Sequence, residues 1–394
     1  MRLLHLSLWG AGDPLIRNSV YPKLKILREE FSLTDLHLCI FNRWEAYDGE
    51  LDHLLPGLRI HVLESNSSPV GVLDLPYRVF QWKKKFRKLL AELKPDRVIM
   101  HGTPIGVLSF SECVRAGIPY QVESCEPHAQ YMADSGAWSR SGFKYLYARI
   151  QEKSLFSNAK FLLPVSPLFG QYLMANGIDT SRIVFLPCCI STHHFAFDEE
   201  KRNLIRNSFR IPNQSITGIY VGKFEGVYFP FSVLGVLGEA FSGIDSYHHI
   251  FLTAESPEAI RRVLGEHDIP LERIFIVKSP PDKVSDYLSA ADFAWSFIKP
   301  SSSSPFCSPV KNAEYLASGL PVLIPTSIGE DSDLILSENA GVQDNFVEGK
   351  LQEGTLNDLK AILMEDGHRQ RIAKISYQKR GLHLIGEAYK IIYK

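Results

Sequence analysis

The 394-residue chain carries a net charge of −1, with 45% hydrophobic and 22% charged residues, which is the composition of an ordinary globular protein large enough for two domains. This balance argues against nucleic acid as a partner, and no apolar run reaches the roughly 18 residues that a membrane span needs. The six cysteines have no C-x-x-C spacing, which favours reduced thiols over disulfides or a metal site and predicts a cytoplasmic protein.

Strands alternate with helices through the first half of the sequence. A short apolar strand ends at Trp9, and the loop after it contains Gly10 and Gly12. The alternation predicts a doubly wound parallel sheet, and the two glycines allow the backbone to approach a ligand at its carboxyl edge. The loop lacks the G-x-G-x-x-G spacing of a dinucleotide site. The further strands predicted in this half are residues 35–41, 59–63, 97–101, 120–124, 161–165 and 183–186.

The same alternation restarts in the second half, with strands predicted at 218–222, 249–253, 273–277 and 292–298. The stretch Ser308–Pro325, SPVKNAEYLASGLPVLIP, predicts a short helix with Ser308 as its N-cap and Gly319 just past its end. A buried strand follows at 322–324. Two α/β halves predict a ligand cleft between the carboxyl edges of their sheets.

The helix after Ser308 has the features of an anion site. Its free N–H groups and positive dipole end favour a phosphate, and Lys311 adds a full charge beside them. Glu314 lies one turn further on the same face, where its carboxylate suits vicinal hydroxyls. The pattern fits a nucleoside diphosphate with its ribose, and a surface Lys–Glu pair is the alternative. Asp331 and Ser332, at the next helix start, are either N-cap groups or further donor contacts.

These motifs together resemble the retaining, GT-B-fold glycosyltransferases of the group 1, or GT4-like, class. SPVKNAEYLASGLPVLIP is similar to the Glu-helix of that class followed by A-x-G-x-P-V, and Tyr220-Val221-Gly222-Lys223 is similar to its V-G-R/K strand end. The resemblance implies two Rossmann-like domains facing a central cleft, at residues 1–190 and 191–369. It also implies that a C-terminal helix, at about 370–394, packs back on the first domain.

The resemblance implies a nucleotide-sugar donor on the second domain and a glycan or lipid-linked acceptor on the first. By position, Glu314 would hold the ribose hydroxyls and Lys223 the diphosphate. His128 would lie near the transferred sugar, with Glu126 on the same loop. A cation and helix N-termini neutralise a leaving diphosphate without a metal, so no metal or other cofactor is expected. The base stays open among UDP-, GDP- and ADP-linked sugars.

The sequence also departs from the class pattern. Phe306 stands where the class has a first glutamate that touches the sugar, and no second lysine follows Lys223. Lys311 is therefore the candidate for the second positive group, and donor-sugar recognition differs most from the class. Two alternatives remain open. One is a nucleotide-sugar epimerase of the same architecture, which would use Glu126 and His128 for proton transfer. The other is a catalytically degenerate protein that binds a nucleotide or glycan.

A basic stretch, WKKKFRKLL, begins at Trp82 and interleaves five cations with aromatic residues. It predicts the solvated face of a crossover helix. Weak peripheral contact with the inner face of an anionic membrane is the second interpretation.

Overall fold

The computed structural model describes residues 1–10, 13, 16–42, 55–64, 74–267 and 269–393. The chain divides into two compact units. Unit 1 comprises Met1–Gln130, Trp138–Cys189 and Leu382–Lys394, and unit 2 comprises Tyr131–Ala137 and Ile190–Gly381. Within the described residues, each unit contains one sheet of six parallel strands. The predicted α/β architecture is confirmed.

The sheet of unit 1 has the strand order β3-β2-β1-β4-β5-β6, and every neighbouring pair is parallel. The central strands are short apolar runs buried on both faces, as parallel strands covered by helices must be. The strands are β1 (Arg2–Ser7), β2 (Asp35–Asn42), β3 (Arg59–Glu64), β4 (Arg97–His101), β5 (Tyr120–Cys125) and β6 (Phe161–Pro164).

Helices connect these strands as crossovers. Helix α2 packs on α3 and α3 on α5, whereas α1 packs against the last helix of the chain, α15. A single π-helical turn, Ile16–Val20, leads into α1. The helices are α1 (Tyr21–Glu29), α2 (Asp74–Leu93), α3 (Thr103–Ala116), α5 (Phe143–Asn158), α6 (Pro167–Ala175) and α15 (His383–Tyr393). Helix α4 (His128–Asp134) begins in unit 1, and its residues from Tyr131 onward belong to unit 2.

The sheet of unit 2 has the order β12-β11-β10-β7-β8-β9, again with parallel neighbours. It encloses a large apolar core in which Trp295, Phe251 and Tyr247 are completely buried. The strands are β7 (Thr217–Val221), β8 (His248–Leu252), β9 (Ile274–Val277), β10 (Phe293–Trp295), β11 (Val322–Ile324) and β12 (Gly341–Gln343).

The helices of unit 2 are α7 (Glu199–Phe209), α8 (Val236–Gly243), α9 (Pro257–Gly265), α10 (Val284–Ala290), α11 (Val310–Ala317), α12 (Asp331–Ser337), α13 (Thr355–Met364) and α14 (His368–Arg380). Short 3-10 turns at Phe231–Gly235 and Pro281–Lys283 precede α8 and α10. None of the helices in the described part of the chain is long and apolar enough to cross a membrane.

The C-terminal segment corrects one prediction. A single helix at about 370–394 was expected to return to the first domain, but α14 packs on α11 within unit 2. The chain leaves unit 2 only after Gly381, where the Ile190 N–H donates to the Arg380 carbonyl at 2.8 Å. Helix α15 alone joins unit 1, because Ile385, Tyr389 and other apolar residues on one face are buried there.

Candidate functional site

A cavity of about 370 Å³ opens at the carboxyl ends of β7, β8 and β9 in unit 2. In a parallel α/β sheet this edge is where ligands bind, because the strand-to-helix loops meet there. Residues that directly follow the three strands line the cavity, and helix α11 and Tyr228 complete its walls. The polar lining residues are Lys223, Tyr228, Thr253, Lys278, Ser279 and Lys311.

The cavity is strongly cationic. Lys223, Lys278 and Lys311 all line it, and none of its lining residues in the described part of the chain is a carboxylate. Within the described residues none of these three ammonium groups forms an ion pair. Three like charges around one cavity repel each other, so the arrangement favours a multiply charged anion such as a diphosphate.

Gly222 gives Lys311 the space to reach the cavity. A Cβ atom on this residue would lie 2.9 Å from the Lys311 Nζ and 2.8 Å from the Tyr220 hydroxyl, both closer than a methyl group tolerates. The Lys311 Nζ also lies 5.1 Å from the centre of the Tyr228 ring, a cation–π contact that holds the side chain at the cavity wall.

Hydrogen bonds hold helix α11 against the end of strand β7 beside this cavity. The Val221 N–H, at the end of β7, donates to the Tyr315 hydroxyl at 2.9 Å. The Tyr220 hydroxyl donates to the Lys223 carbonyl at 2.5 Å. The strand end that carries Lys223 is therefore tied to the helix that carries Lys311 and Glu314.

Glu314 is half-buried, and its carboxyl group forms no hydrogen bond with any described residue. Burial raises the pKa of this carboxyl to about 7, and the charge of Lys311 acts in the opposite direction. A carboxyl group whose pKa is strongly shifted and which lies beside a cavity is a candidate for contact with a ligand. Glu314 is thus suited to accept hydrogen bonds from two neighbouring hydroxyls.

Ser308 and Asp331 lie behind this helix and not in the cavity wall. The Arg380 guanidinium donates to the Ser308 hydroxyl and forms a salt bridge with Asp331. The Asn312 side chain donates to Asp331 at 3.0 Å. The prediction that Ser308 caps the helix is wrong: α11 starts at Val310 without a side-chain cap, since the Ser308 hydroxyl is engaged by Arg380.

Ser332 is also used internally. Its hydroxyl donates to the Pro325 carbonyl at 2.6 Å and accepts from the Ile328 N–H at 2.9 Å, which closes the turn before α12. Helix α12 has Glu330 at its N-cap position and no side-chain cap, so neither Asp331 nor Ser332 acts as the cap. Both side chains are buried. Contacts between the nucleotide-sugar donor and Ser308, Asp331 or Ser332 remain predictions. In the structure these three side chains bond to other residues of the protein.

In unit 1 the loop after β5 brings Glu126 and His128 together. The His128 Nδ1 lies 3.8 Å from a Glu126 carboxylate oxygen, and the imidazole packs edge-on to Trp138. Thr103 anchors this loop, because its hydroxyl donates to the Glu126 carbonyl at 2.7 Å. Gly10 follows β1 at the same edge of the sheet, while Gly12 lies outside the described residues.

A second group of unit 1 has the composition of a metal site. His5, His101 and Glu123 are buried and offer ligand atoms within 4.8 Å of one another. However, the Lys23 ammonium lies 3.0 Å from Glu123 and already supplies the positive charge. Burial lowers the pKa of His5 to about 4 and that of His101 well below its usual value, so both rings are neutral. We interpret this cluster as part of the core.

The sequence did not single out Lys278, Tyr228 and Thr253. Lys278 follows the apolar strand β9 directly, which is the same strand-then-lysine pattern that identified Lys223. Its place beside Lys223 follows only from the strand order, because β9 lies two positions from β7. No second lysine follows Lys223 in the sequence, and Lys278 and Lys311 are the additional cations in the cavity wall.

Phe306, which replaces the first glutamate of the class, lies in a 3-10 turn, Ser304–Phe306, just before α11. The serine loop that leads into this turn is held by Asp134, which accepts from the Ser302 hydroxyl at 2.9 Å and from the Ser303 N–H at 2.7 Å. These bonds lower the pKa of Asp134, against the effect of its burial, so it stays ionised.

Comparison with known proteins gives one family match and several structures of similar fold. Residues 39–189 match the model of the glycosyl transferase 4-like domain. A search of curated protein sequences finds no match. The solved structure of HepE from Anabaena in complex with UDP superposes with a TM-score of 0.71 at 12% identity, covering 99% of this chain and 98% of that one.

Two further structures have the same fold. Sucrose-phosphate synthase from Thermosynechococcus elongatus gives a TM-score of 0.70 at 16% identity, over 100% of this chain and 98% of its own. The UDP-GlcNAc 2-epimerase of Neisseria meningitidis, bound to UDP-GlcNAc, gives 0.61 at 14% identity, over 100% and 98%. The predicted resemblance to GT-B-fold, GT4-like glycosyltransferases is confirmed by the fold of the whole chain and by the glycosyl transferase 4-like domain at residues 39–189.

Proposed function

We propose that the protein transfers a sugar from a nucleoside diphosphate to a glycan or lipid-linked acceptor, with retention at the anomeric carbon. The proposal starts from the glycosyl transferase 4-like domain at residues 39–189 and the GT-B fold of the chain. One observation carries the proposal. Among the described residues, a cavity lined by three lysines and by no carboxylate adjoins helix α11, on which the Glu314 carboxyl group forms no hydrogen bond.

In this proposal Glu314 accepts hydrogen bonds from the ribose hydroxyls, and the diphosphate binds among Lys223, Lys278 and Lys311. The ammonium groups act at the step that breaks the bond between the anomeric carbon and the phosphate oxygen, because they neutralise the charge that develops on the leaving diphosphate. These groups supply that charge without a metal or a further cofactor. UDP-sugars are the first donors to test, since the HepE structures contain UDP and UDP-glucose.

The transfer step needs an acceptor hydroxyl on the face that the diphosphate leaves. A bond forms between that hydroxyl oxygen and the anomeric carbon while the bond to the phosphate oxygen breaks with its electron pair. The hydroxyl proton passes to the leaving phosphate oxygen, so no separate general base is required. We assign His128 and Glu126 of unit 1 to contacts with the transferred sugar or the acceptor.

Thermal unfolding in the presence of UDP-, GDP- and ADP-sugars tests the donor site. At least one donor should raise the unfolding temperature, because a ligand that binds only the folded state stabilises it. Glu314→Ala should abolish this rise, whereas Glu338→Ala, which removes an exposed glutamate, should leave it intact. No stabilisation by any of these donors would contradict the proposal.

The similarity in fold to UDP-GlcNAc 2-epimerases supports one alternative function. Epimerisation needs groups that remove and return a proton, and Glu126 with His128 is the pair that offers them. NMR of UDP-GlcNAc incubated with the protein alone separates the two reactions, since epimerisation changes the sugar without any acceptor. Binding without turnover across a broad acceptor panel would instead indicate a degenerate binding protein.

We also propose a cytoplasmic location. Cys39 and Cys113 are buried thiols that form no disulfide, and burial raises the pKa of both. Such thiols are typical of a reducing compartment.

A further inference from the structure

Helix α5 of unit 1 presents an apolar stripe to solvent. Phe143, Leu146, Tyr147 and Ile150 are 80%, 52%, 45% and 63% exposed. Their spacing of i, i+3, i+4 and i+7 puts all four on one face of the helix over about two turns. Single exposed apolar residues are common on protein surfaces, but a continuous stripe of four large ones marks an interaction surface.

The opposite face of the helix explains why the stripe points outward. Ala148, Glu152, Leu155 and Phe156 are buried, and Leu155 packs so closely on α3 that a Cβ on Gly106 would lie 2.8 Å from it. The helix is thus anchored to unit 1 by one face, and its stripe is not needed for the core.

The charges along this helix have one sign. Every charged residue exposed on or just before α5 is a cation, namely Arg140, Lys144, Arg149 and Lys153. The single acid of the helix, Glu152, faces inward, where its carboxylate accepts from the Ala129 N–H at 2.6 Å. On the helix circumference Lys144 and Arg149 lie on opposite sides of the apolar stripe.

We propose that α5 docks unit 1 onto the surface of an anionic lipid bilayer, lying in the plane of the interface. An apolar stripe bordered on both sides by cations is the pattern of an interfacial helix: the stripe enters the boundary between headgroups and acyl chains, and the cations contact anionic headgroups. A second copy of the chain is a poorer occupant, because a symmetric contact would bring the four cations of each copy together.

The basic stretch that begins at Trp82 is a poorer candidate for membrane contact than α5. Trp82 and Phe86 stack on each other and are buried in the core. The aromatic residues of that stretch therefore cannot enter a bilayer, although cations such as Lys84 and Lys88 remain exposed. We assign the primary contact to α5 and leave α2 an electrostatic contribution.

Flotation of the full-length protein with lipid vesicles tests the proposal and needs no nucleotide. The protein should bind vesicles of phosphatidylcholine with about a third phosphatidylglycerol at least tenfold more tightly than pure phosphatidylcholine vesicles. Phe143→Ser combined with Ile150→Ser should weaken binding about tenfold or more. Lys144→Glu combined with Arg149→Glu should remove the preference for anionic lipid.

The matched control is Leu204→Ser combined with Met364→Ser, which removes two equally exposed apolar side chains from helices of unit 2. It should bind vesicles like the unchanged protein. Circular dichroism should show all variants folded, since the substituted side chains are exposed. The proposal is overturned if the protein does not float with anionic vesicles, or if the stripe variant binds as tightly as the control. A dimer that the stripe variant converts to a monomer, with vesicle binding unchanged, would assign the stripe to a second copy instead.

Discussion

Glu123 in unit 1 and Glu314 in unit 2 are two carboxyl groups with a lysine close by, and they behave in opposite ways. Glu123 lies in strand β5, near its carboxyl end, and Glu314 lies on helix α11, three residues after Lys311. Glu123 accepts from Gln121 and from the Tyr389 hydroxyl, each at 2.8 Å, and pairs with Lys23. Glu314 has no such bond to a described residue.

The pKa values of these two carboxyl groups differ because of their charged and hydrogen-bonding partners and not because of burial. Burial alone raises the pKa of both groups, but Lys23 and the hydrogen bonds around Glu123 outweigh it and lower that pKa. At Glu314 burial dominates and the pKa rises to about 7. A buried polar cluster whose members hydrogen-bond one another holds a fold together, whereas a carboxyl group with a raised pKa and no hydrogen bond to a described residue, beside a cationic cavity, indicates a ligand site.

The largest effect should come from breaking the satisfied cluster. Glu123→Gln should lower the free energy of unfolding by about 3–5 kcal/mol, because it leaves the buried Lys23 ammonium without a counter-charge. Urea unfolding measures the loss. Adding Lys23→Met should recover much of it, since the buried charge is then removed. Glu314→Gln is the control and should not destabilise the protein. A loss below about 1 kcal/mol in Glu123→Gln would show that Lys23 reaches water.

The next effect concerns the cationic cavity. Lys278→Met and Lys311→Met should each weaken UDP-sugar binding about tenfold, and together about a hundredfold, because each ammonium contacts the same diphosphate. Isothermal titration calorimetry measures both steps. Lys283→Met is the matched control, since this lysine is exposed and pairs with Asp286 outside the cavity. An unchanged affinity in Lys278→Met would place the diphosphate nearer to Lys223 and Lys311 and remove Lys278 from the site.

The pH dependence of binding should follow Glu314. The ribose hydroxyls donate to a carboxylate, so binding requires the ionised form, which predominates above the pKa of about 7. UDP-glucose affinity should therefore rise by up to about tenfold between about pH 6 and pH 8, over which its diphosphate does not titrate. The folded protein without ligand should lose stability as the pH rises from about 4.5 to about 7, because the raised pKa of Glu314 means that the folded state binds the proton more tightly than the unfolded chain. Glu314→Gln should flatten the affinity profile, and a surviving slope in affinity would assign that titration to another group. It should only reduce the slope of the stability profile, because burial also raises the pKa of Glu152 to about 7.

How much the sequence predicts depends on the range of the interaction. Gly319 was expected in a left-handed conformation just past a helix, and its φ of +71° confirms this. The strand Val322–Ile324 was also found where predicted. Both follow from local chemistry: glycine at a helix end, and an apolar run between prolines.

The errors arise where a partner is distant in sequence. Ser308 is a good N-cap by local rules, but Arg380, 72 positions later, takes its hydroxyl. Lys278 belongs to the cavity only because β9, β8 and β7 are neighbours in the sheet, which no local pattern shows. A break at Gly381 sends two consecutive helices to different units. The local sequence pattern thus predicted the helix and the strand. Contacts between residues distant in sequence decided which side chains were available to a ligand.

The smallest effect tests whether Ser332 belongs to the fold or to the donor site. Ser332→Ala removes two hydrogen bonds that close the turn after Pro325, so it should cost about 1–2 kcal/mol of unfolding free energy and leave UDP-sugar affinity unchanged. Ser337→Ala, which removes one longer bond near the surface, should cost less than about 0.5 kcal/mol. A weaker affinity in Ser332→Ala at unchanged stability would return this hydroxyl to the donor site. It would also show that a side chain with hydrogen bonds inside the protein can exchange them for a ligand. In that case the contrast between Glu123 and Glu314 would not identify every ligand-binding group.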